Sequence, residues 1–167
     1  MGTTVTIRPA EERDAPALTA IYNHYIATTP ITFDVEPWTV DARAAWLRAH
    51  ANTGRYRIVV ADAGGEPVGY ASTSRFRDKA AYETSVEASV YCHPEARGQG
   101  LGRQLYDALF EAVAGEDIHR ILAGITLPNE RSMRLHTRCG FTQIGVFTDV
   151  GRKFGRYWDV AWFERPL

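Results

Sequence analysis

Apolar residues recur along this chain with two periods, and the switches between them mark out its elements. Thr4 to Arg8 reads as a first strand. Leu18, Ile21, Tyr22, Tyr25 and Ile26 return at helical spacing. Asp14 stands ahead of them as a candidate cap, and Pro16 falls in the first turn, where a missing N–H costs little. Thr28 to Trp38 holds two prolines and reads as a loop, and a second helix is expected from Asp41 to His50. Tyr56 to Ala61 and Val68 to Ser74 read as a hairpin turning at Gly64-Gly65. Ser85 to Cys92 is another strand, and Leu101, Leu105, Ala108, Leu109, Ala112 and Val113 mark an amphipathic helix. A strand from Arg120 to Ile125 and a helix from Asn129 to Cys139 follow, with Gly140 as a left-handed stop. Strands near Gln143 to Asp149 and Phe154 to Phe163 close the chain. The order β-α-α-β-β-β-α-β-α-β-β implies an α/β protein with a mixed sheet and helices on its faces. No repeat, low-complexity segment or linker interrupts it, so a single domain is expected over residues 1–167.

Composition changes this picture little. A chain of 167 residues with 45% hydrophobic and 23% charged residues is long enough to bury a continuous core. The net charge is −1 and the 19 lysines and arginines are scattered, which argues against a nucleic-acid partner. Met1 to Asp14 lacks an apolar signal core, and no run approaches a membrane span. Cys92 and Cys139 have neither metal-ligand spacing nor the look of a disulfide framework, which suits a reducing cytoplasm. A cytoplasmic protein without metal or membrane association is the expectation.

The most informative stretch runs from Val90 to Gly102. It places Gly98, Gly100 and Gly102 with Arg97 between a strand and a helix. Glycines let the backbone approach a ligand, and the first turn of the helix aims free N–H groups at an anion. Such a loop suits a pyrophosphate. It is not a P-loop, because Leu101-Gly102-Arg103 stands where Gly-Lys-Ser/Thr is required, and its glycines are in the wrong order for a Rossmann turn.

The spacing Arg97-x-x-Gly100-x-Gly102 resembles the Q/R-x-x-G-x-G/A signature of the GNAT superfamily of N-acetyltransferases. The run from Asn129 through Ser132 and His136 to Gly140-Phe141 resembles that family's N-x-x-S-x-x-x-Y-x-x-x-G-F helix. More narrowly, the chain looks like the phosphinothricin and methionine sulfoximine/sulfone acetyltransferases. The likeness lies in Ile21 to Ile26, Thr32 to Pro37, Ala81-Tyr82-x-x-Ser85-Val86-Glu87-x-Ser89-Val90-Tyr91, Leu127-Pro128-Asn129 and Gly151 to Val160. It covers about Ile7 to Phe163. Two departures stand out: His136 occupies the place of the superfamily's tyrosine, though this subfamily commonly has histidine there, and Lys79 replaces an arginine of the phosphinothricin enzymes. The resemblance implies the GNAT fold, with a mixed, mostly antiparallel central sheet and helices on both faces. It implies acetyl-CoA as cosubstrate, a small amino-acid acceptor and a homodimer. It implies that Ala88, Ser89, Val90 and Cys92 receive the pantetheine arm, that Arg97, Gly98, Gln99, Gly100, Leu101 and Gly102 hold the pyrophosphate, and that Asn129 and Ser132 help hold the arm.

Acyl transfer to an amine needs a group that removes the ammonium proton. Glu87 is the candidate, an acid in an otherwise apolar-alternating strand that leads directly into the phosphate loop. Alternation puts it with Ser89 and Tyr91 on one face, opposite Val86, Ala88, Val90 and Cys92. The alternative is a solvated charge on an outward face. His136 could protonate the leaving thiolate or serve only as a hydrogen-bonding core residue. An acceptor carboxylate calls for cations, and Arg75, Arg77 and Lys79 cluster just upstream, with Phe33 and Tyr82 as candidate walls for its side chain. Acetylation of a polyamine or a protein N-terminus is the competing activity, and a non-catalytic CoA-binding module the competing class. A polyamine site would be acidic where this loop is basic, and a mere binding module would have no need of Glu87.

Overall fold

The computed structural model describes residues 4–96 and 100–167. In chain order its elements are β1 (Val5–Pro9), α1 (Ala15–Thr28), α2 (Val40–Arg48), β2 (Ile58–Ala63), β3 (Pro67–Arg75), β4 (Ser85–Cys92), α3 (Leu101–Val113), β5 (Arg120–Thr126), α4 (Glu130–Arg138), β6 (Thr142–Lys153) and β7 (Arg156–Pro166). The strands form one seven-stranded sheet in the order β1-β2-β3-β4-β5-β7-β6. Every pairing is antiparallel except β4 with β5. The mixed, mostly antiparallel sheet read from the sequence is therefore present.

Side chains of period 2 send the two halves of each strand to different helices. Ile58, Val60 and Tyr70 face Leu18, Ile21 and Tyr25 of α1 and Leu47 of α2. Val59, Ala61, Ala71, Val86, Ala88 and Ile121 face Leu105, Tyr106 and Leu109 of α3. Each fully buried side chain of this size contributes about 1.5–3 kcal/mol relative to exposure. The sheet is thus clamped from both sides, and the strand ends that carry the site inherit that rigidity.

Local chemistry moved several boundaries. Asp14 does not cap α1. A short 3₁₀ turn over Glu12–Asp14 precedes the helix and holds Asp14 in helical conformation. Its carboxylate instead accepts from both terminal nitrogens of Arg8, at 2.8 and 2.7 Å, and from the Glu11 N–H at 2.7 Å. Helix α2 starts one residue early because Thr39 Oγ1 accepts from the Ala42 N–H at 3.1 Å. Strands β6 and β7 are longer than the sequence pattern suggested. Phe154, expected in a strand, turns the chain with Gly155, both at positive φ (52° and 73°), as a two-residue hairpin requires.

One feature of the sheet positions the site. Parallel pairing of β4 with β5 covers only Ser85–Glu87 against Arg120–Leu122. Beyond that point β4 continues along β3 to Cys92, while β5 continues along β7 to Thr126. The two central strands diverge, and Glu87 stands at the fork.

Candidate active site

A cleft of about 440 Å³ opens below the fork. Val90, Tyr91 and Cys92 give one wall, Gly100, Leu101 and Gly102 the floor, and Asn129, Ser132 and Leu135 the other wall, with Tyr25 and Ile31 at the rim. Five of the residues expected to hold the cosubstrate before and within the loop (Val90, Cys92, Gly100, Leu101 and Gly102) thus reach one place, as do Asn129 and Ser132 of the α4 segment. Tyr25 fixes the end of β4 by donating its hydroxyl to the Cys92 carbonyl at 2.5 Å. Asn129 caps α4, its Oδ1 accepting from the Ser132 N–H at 3.1 Å. Ala88 and Ser89 stand just before the cleft; Ala88 packs against α3, and Ser89 lies opposite Ser72 on the face of Glu87. Arg97, Gly98 and Gln99 lie outside the described residues.

The two described glycines of the loop act for different reasons. Gly100 has φ +74°, which a side chain resists, although its Cβ would meet nothing closer than Gln104 at 4.0 Å. A Cβ on Gly102 would come to 2.9 Å from Leu135, so this glycine lets α3 and α4 approach. Among the described residues no side chain caps α3, and while the Arg103 N–H donates to the Gly100 carbonyl at 3.1 Å, the amides of Leu101 and Gly102 are left for an anion. Arg103, Arg131, Arg134 and Arg138 add cationic walls. Gly100→Val is expected to lower acetyl-CoA affinity at least tenfold by calorimetry, since the strain of a left-handed β-branched residue is about 1–2 kcal/mol or more and would be relieved by reshaping the loop. A folded variant with unchanged affinity would show that the loop is not the anchor.

Glu87 is half-buried and faces the side of the sheet opposite α3. Burial pushes its carboxyl above the ordinary glutamate value, and nearby Arg77 pulls it partly back. Among the described residues, none hydrogen-bonds this carboxylate. Arg77 lies over the Phe76 ring at 5.0 Å. Phe76 in turn meets Tyr82 edge-on at 5.8 Å and Trp162 at 5.9 Å, and Trp162 meets Phe147 at 5.8 Å. Trp162 of β7 lies opposite Gly124 of β5, on the Glu87 side of the sheet, and its indole N–H is buried without a partner among the described residues. The sequence reading missed it, because only pairing of β7 with β5 reveals which face it takes.

The other expected site residues fall in different places. Arg75 lies opposite Val86 in the β3–β4 register, so its side chain leaves on the α3 side, away from Glu87. There it meets Asp78 at 3.8 Å. Lys79 is exposed just before the turn Ala80–Tyr82, and Tyr82 is exposed at 44%. Phe33 projects from the α1–α2 loop onto Gly151 of β6. His136 does not line the cleft: it is 4% exposed, among Tyr106, Phe141 and Phe163. Its Nδ1 lies 2.8 Å from the Ser132 carbonyl, which can only accept, so Nε2 is left to accept from the Tyr106 hydroxyl at 2.9 Å. Burial lowers its pKa and keeps it neutral. A ring engaged at both nitrogens ties α3 to α4 and has no proton to spare for a thiolate. Cys139 is also buried, with its thiol pushed up, and makes a poor nucleophile. Among the described residues no three His, Cys, Asp or Glu gather to hold a metal, and no helix is long and apolar enough to cross a membrane.

With strands that part beside a glycine-led helix and an acid at the fork, the chain has a cleft suited to an acyl carrier with a pyrophosphate. It matches the Acetyltransferase (GNAT) family over residues 18–141 and belongs to that family. It is 55% identical over 165 residues, 98% of this chain and 96% of the relative, to a phosphinothricin N-acetyltransferase of Streptomyces coelicolor. It is 37% identical to an L-methionine sulfoximine/L-methionine sulfone acetyltransferase of Pseudomonas paraeruginosa, over 98% of this chain and 95% of that one. A phosphinothricin acetyltransferase from Sinorhizobium meliloti, solved in complex with acetyl-CoA, superposes with a TM-score of 0.90 at 34% identity, covering 98% of this chain and 89% of the other. The chain is an acetyl-CoA-dependent N-acetyltransferase.

Proposed function

We propose that this enzyme acetylates the α-amino group of a free amino acid or analogue of the methionine sulfone, methionine sulfoximine or phosphinothricin type. The observation that carries the reading is a half-buried Glu87 standing where β4 and β5 part, with the cation of Arg77 near enough to draw its pKa down against burial. One side chain suits an ammonium that must lose a proton, and the other suits a carboxylate. Relatives named for such acceptors across nearly the full chain support it. Glu87 takes the ammonium proton, and the freed amine attacks the thioester carbonyl. The carbonyl oxygen gains charge beside backbone amides of β4, and collapse of the tetrahedral intermediate expels CoA thiolate. His136 and Tyr106 act one layer back, holding α4 against α3 so that Asn129 and Ser132 keep the cleft in shape.

The enzyme works as a homodimer in the cytoplasm. Support for the dimer comes from β6, an edge strand exposed from Thr142 to Val150, with Ile144, Val146, Phe147 and Val150 in water beside Phe154 and Tyr157. Natural proteins seldom leave such an edge uncovered. Thiol release from acetyl-CoA over a panel of acceptors tests the activity. Methionine sulfone, methionine sulfoximine and phosphinothricin are expected to turn over well ahead of polyamines and N-terminal peptides; the reverse order would overturn the assignment.

A further inference from the structure

The loop between α1 and α2 is tied down on both sides of Phe33. On one side the Thr32 carbonyl accepts from Nζ of Lys153, itself buried in β6, at 2.8 Å. On the other, the Asp34 carboxylate accepts from the Tyr22 hydroxyl at 2.9 Å and from the Trp38 indole at 2.8 Å. Phe33 itself is 37% exposed. Two residues before it, Ile31 lines the cosubstrate cleft. A loop braced this firmly around one exposed ring is built to place that ring.

Gly151 is where the ring rests. A Cβ built there would lie 2.1 Å from Cε2 and 2.3 Å from Cζ of Phe33. Backbone conformation does not explain this glycine, because it is outside the left-handed region where glycine is favoured. The missing methyl does one thing: it makes room for the aromatic ring. Since the obstructing atoms are the far end of a half-exposed side chain, a methyl there would displace the ring rather than the strand.

We propose that Gly151 determines acceptor specificity by seating Phe33, so that the β6–β7 hairpin sets the room offered to the acceptor's side chain. This rests on the amino-acid reading above. Gly151 is a positioning residue; it reaches the substrate only through the ring. Lys153 supports the same placement through Thr32.

Four proteins test it: wild type, Gly151→Ala, Phe33→Ala and the double variant, with kcat and KM measured for methionine sulfone and for alanine, and KM for acetyl-CoA alongside. Gly151→Ala is expected to change the ratio of kcat/KM for the two acceptors by about tenfold, the scale on which a methyl-sized change in a pocket is felt. KM for acetyl-CoA should stay within twofold. In the Phe33→Ala background the glycine substitution should change nothing further, because the atoms it displaces are gone. An unchanged ratio in Gly151→Ala, or an equal change in both backgrounds, overturns the proposal. Should Gly151→Ala fail to fold, Lys153→Met in the same two backgrounds carries the test with the same expectations. A wild type that acetylates no amino acid refutes the underlying reading along with it, whereas an active wild type with indifferent variants refutes this inference alone.

Discussion

Glu87→Gln is expected to bind acetyl-CoA as the wild type does and to turn over about 10²–10⁴-fold more slowly, the usual loss with a general base. The amide keeps the shape of the carboxyl at the fork and removes only its capacity to take a proton. The wild-type profile against pH carries a second signature. Burial raises the carboxyl's pKa, so the base form is lost as pH falls through a value above the 4.5 of an ordinary glutamate. The acid limb of kcat/KM should therefore lie above that value, and it should disappear in Glu87→Gln, leaving a low rate less dependent on acid. Stability runs the other way: a carboxyl easier to protonate in the fold than in the unfolded chain favours the fold at low pH and loses that contribution as pH rises through its folded pKa. A variant with near-normal rate from pH 6 to 9 would make Glu87 structural.

Arg77→Ala is expected to raise the acceptor KM by about 10–100-fold, the scale of losing one charge-assisted bond to a carboxylate. Esterifying the acceptor's carboxylate should do the same to the wild type. Applied together, the two changes should cost little more than either alone, since both remove one interaction. Strictly additive losses would place Arg77 elsewhere. The effect should fall on the acceptor and leave acetyl-CoA untouched, because the charge of Arg77 is felt by Glu87 and Arg77 is not among the residues that line the cosubstrate cleft.

What the sequence carried well was whatever depends on neighbours in the chain. Gly100 and Gly140 sit at positive φ where a strand or helix had to turn, and Asn129 caps the helix that it was expected to begin. Glu87 took the face that alternation assigned to it. Reading failed where the answer lay in pairing. Arg75 groups with Arg77 along the chain as a supporting cation, yet β3 runs as far as Arg75 and register with Val86 sends its side chain to the α3 side, while Arg77 lies past the strand's end. His136 lies on a short helix whose inner side cannot be told from its outer one until Tyr106, thirty residues away, is seen to meet it. Phe33 is a candidate wall and Gly151 only the start of a matching stretch, and nothing local joins a loop residue to a glycine in the last hairpin.

The brevity of the β4–β5 pairing has a thermodynamic side. Two strands at the centre of a sheet share only three residues before they part, so the middle of the protein lacks the ladder that would otherwise make it the most cohesive part. On the placement proposed above, a cosubstrate lying between them would extend that ladder, and a ligand that binds only the folded chain stabilises it. At a hundred times its dissociation constant such a ligand adds about 2.7 kcal/mol of apparent stability. The durability of this enzyme is then partly a property of its surroundings: saturating acetyl-CoA should raise its apparent stability by that increment, and depletion should remove it.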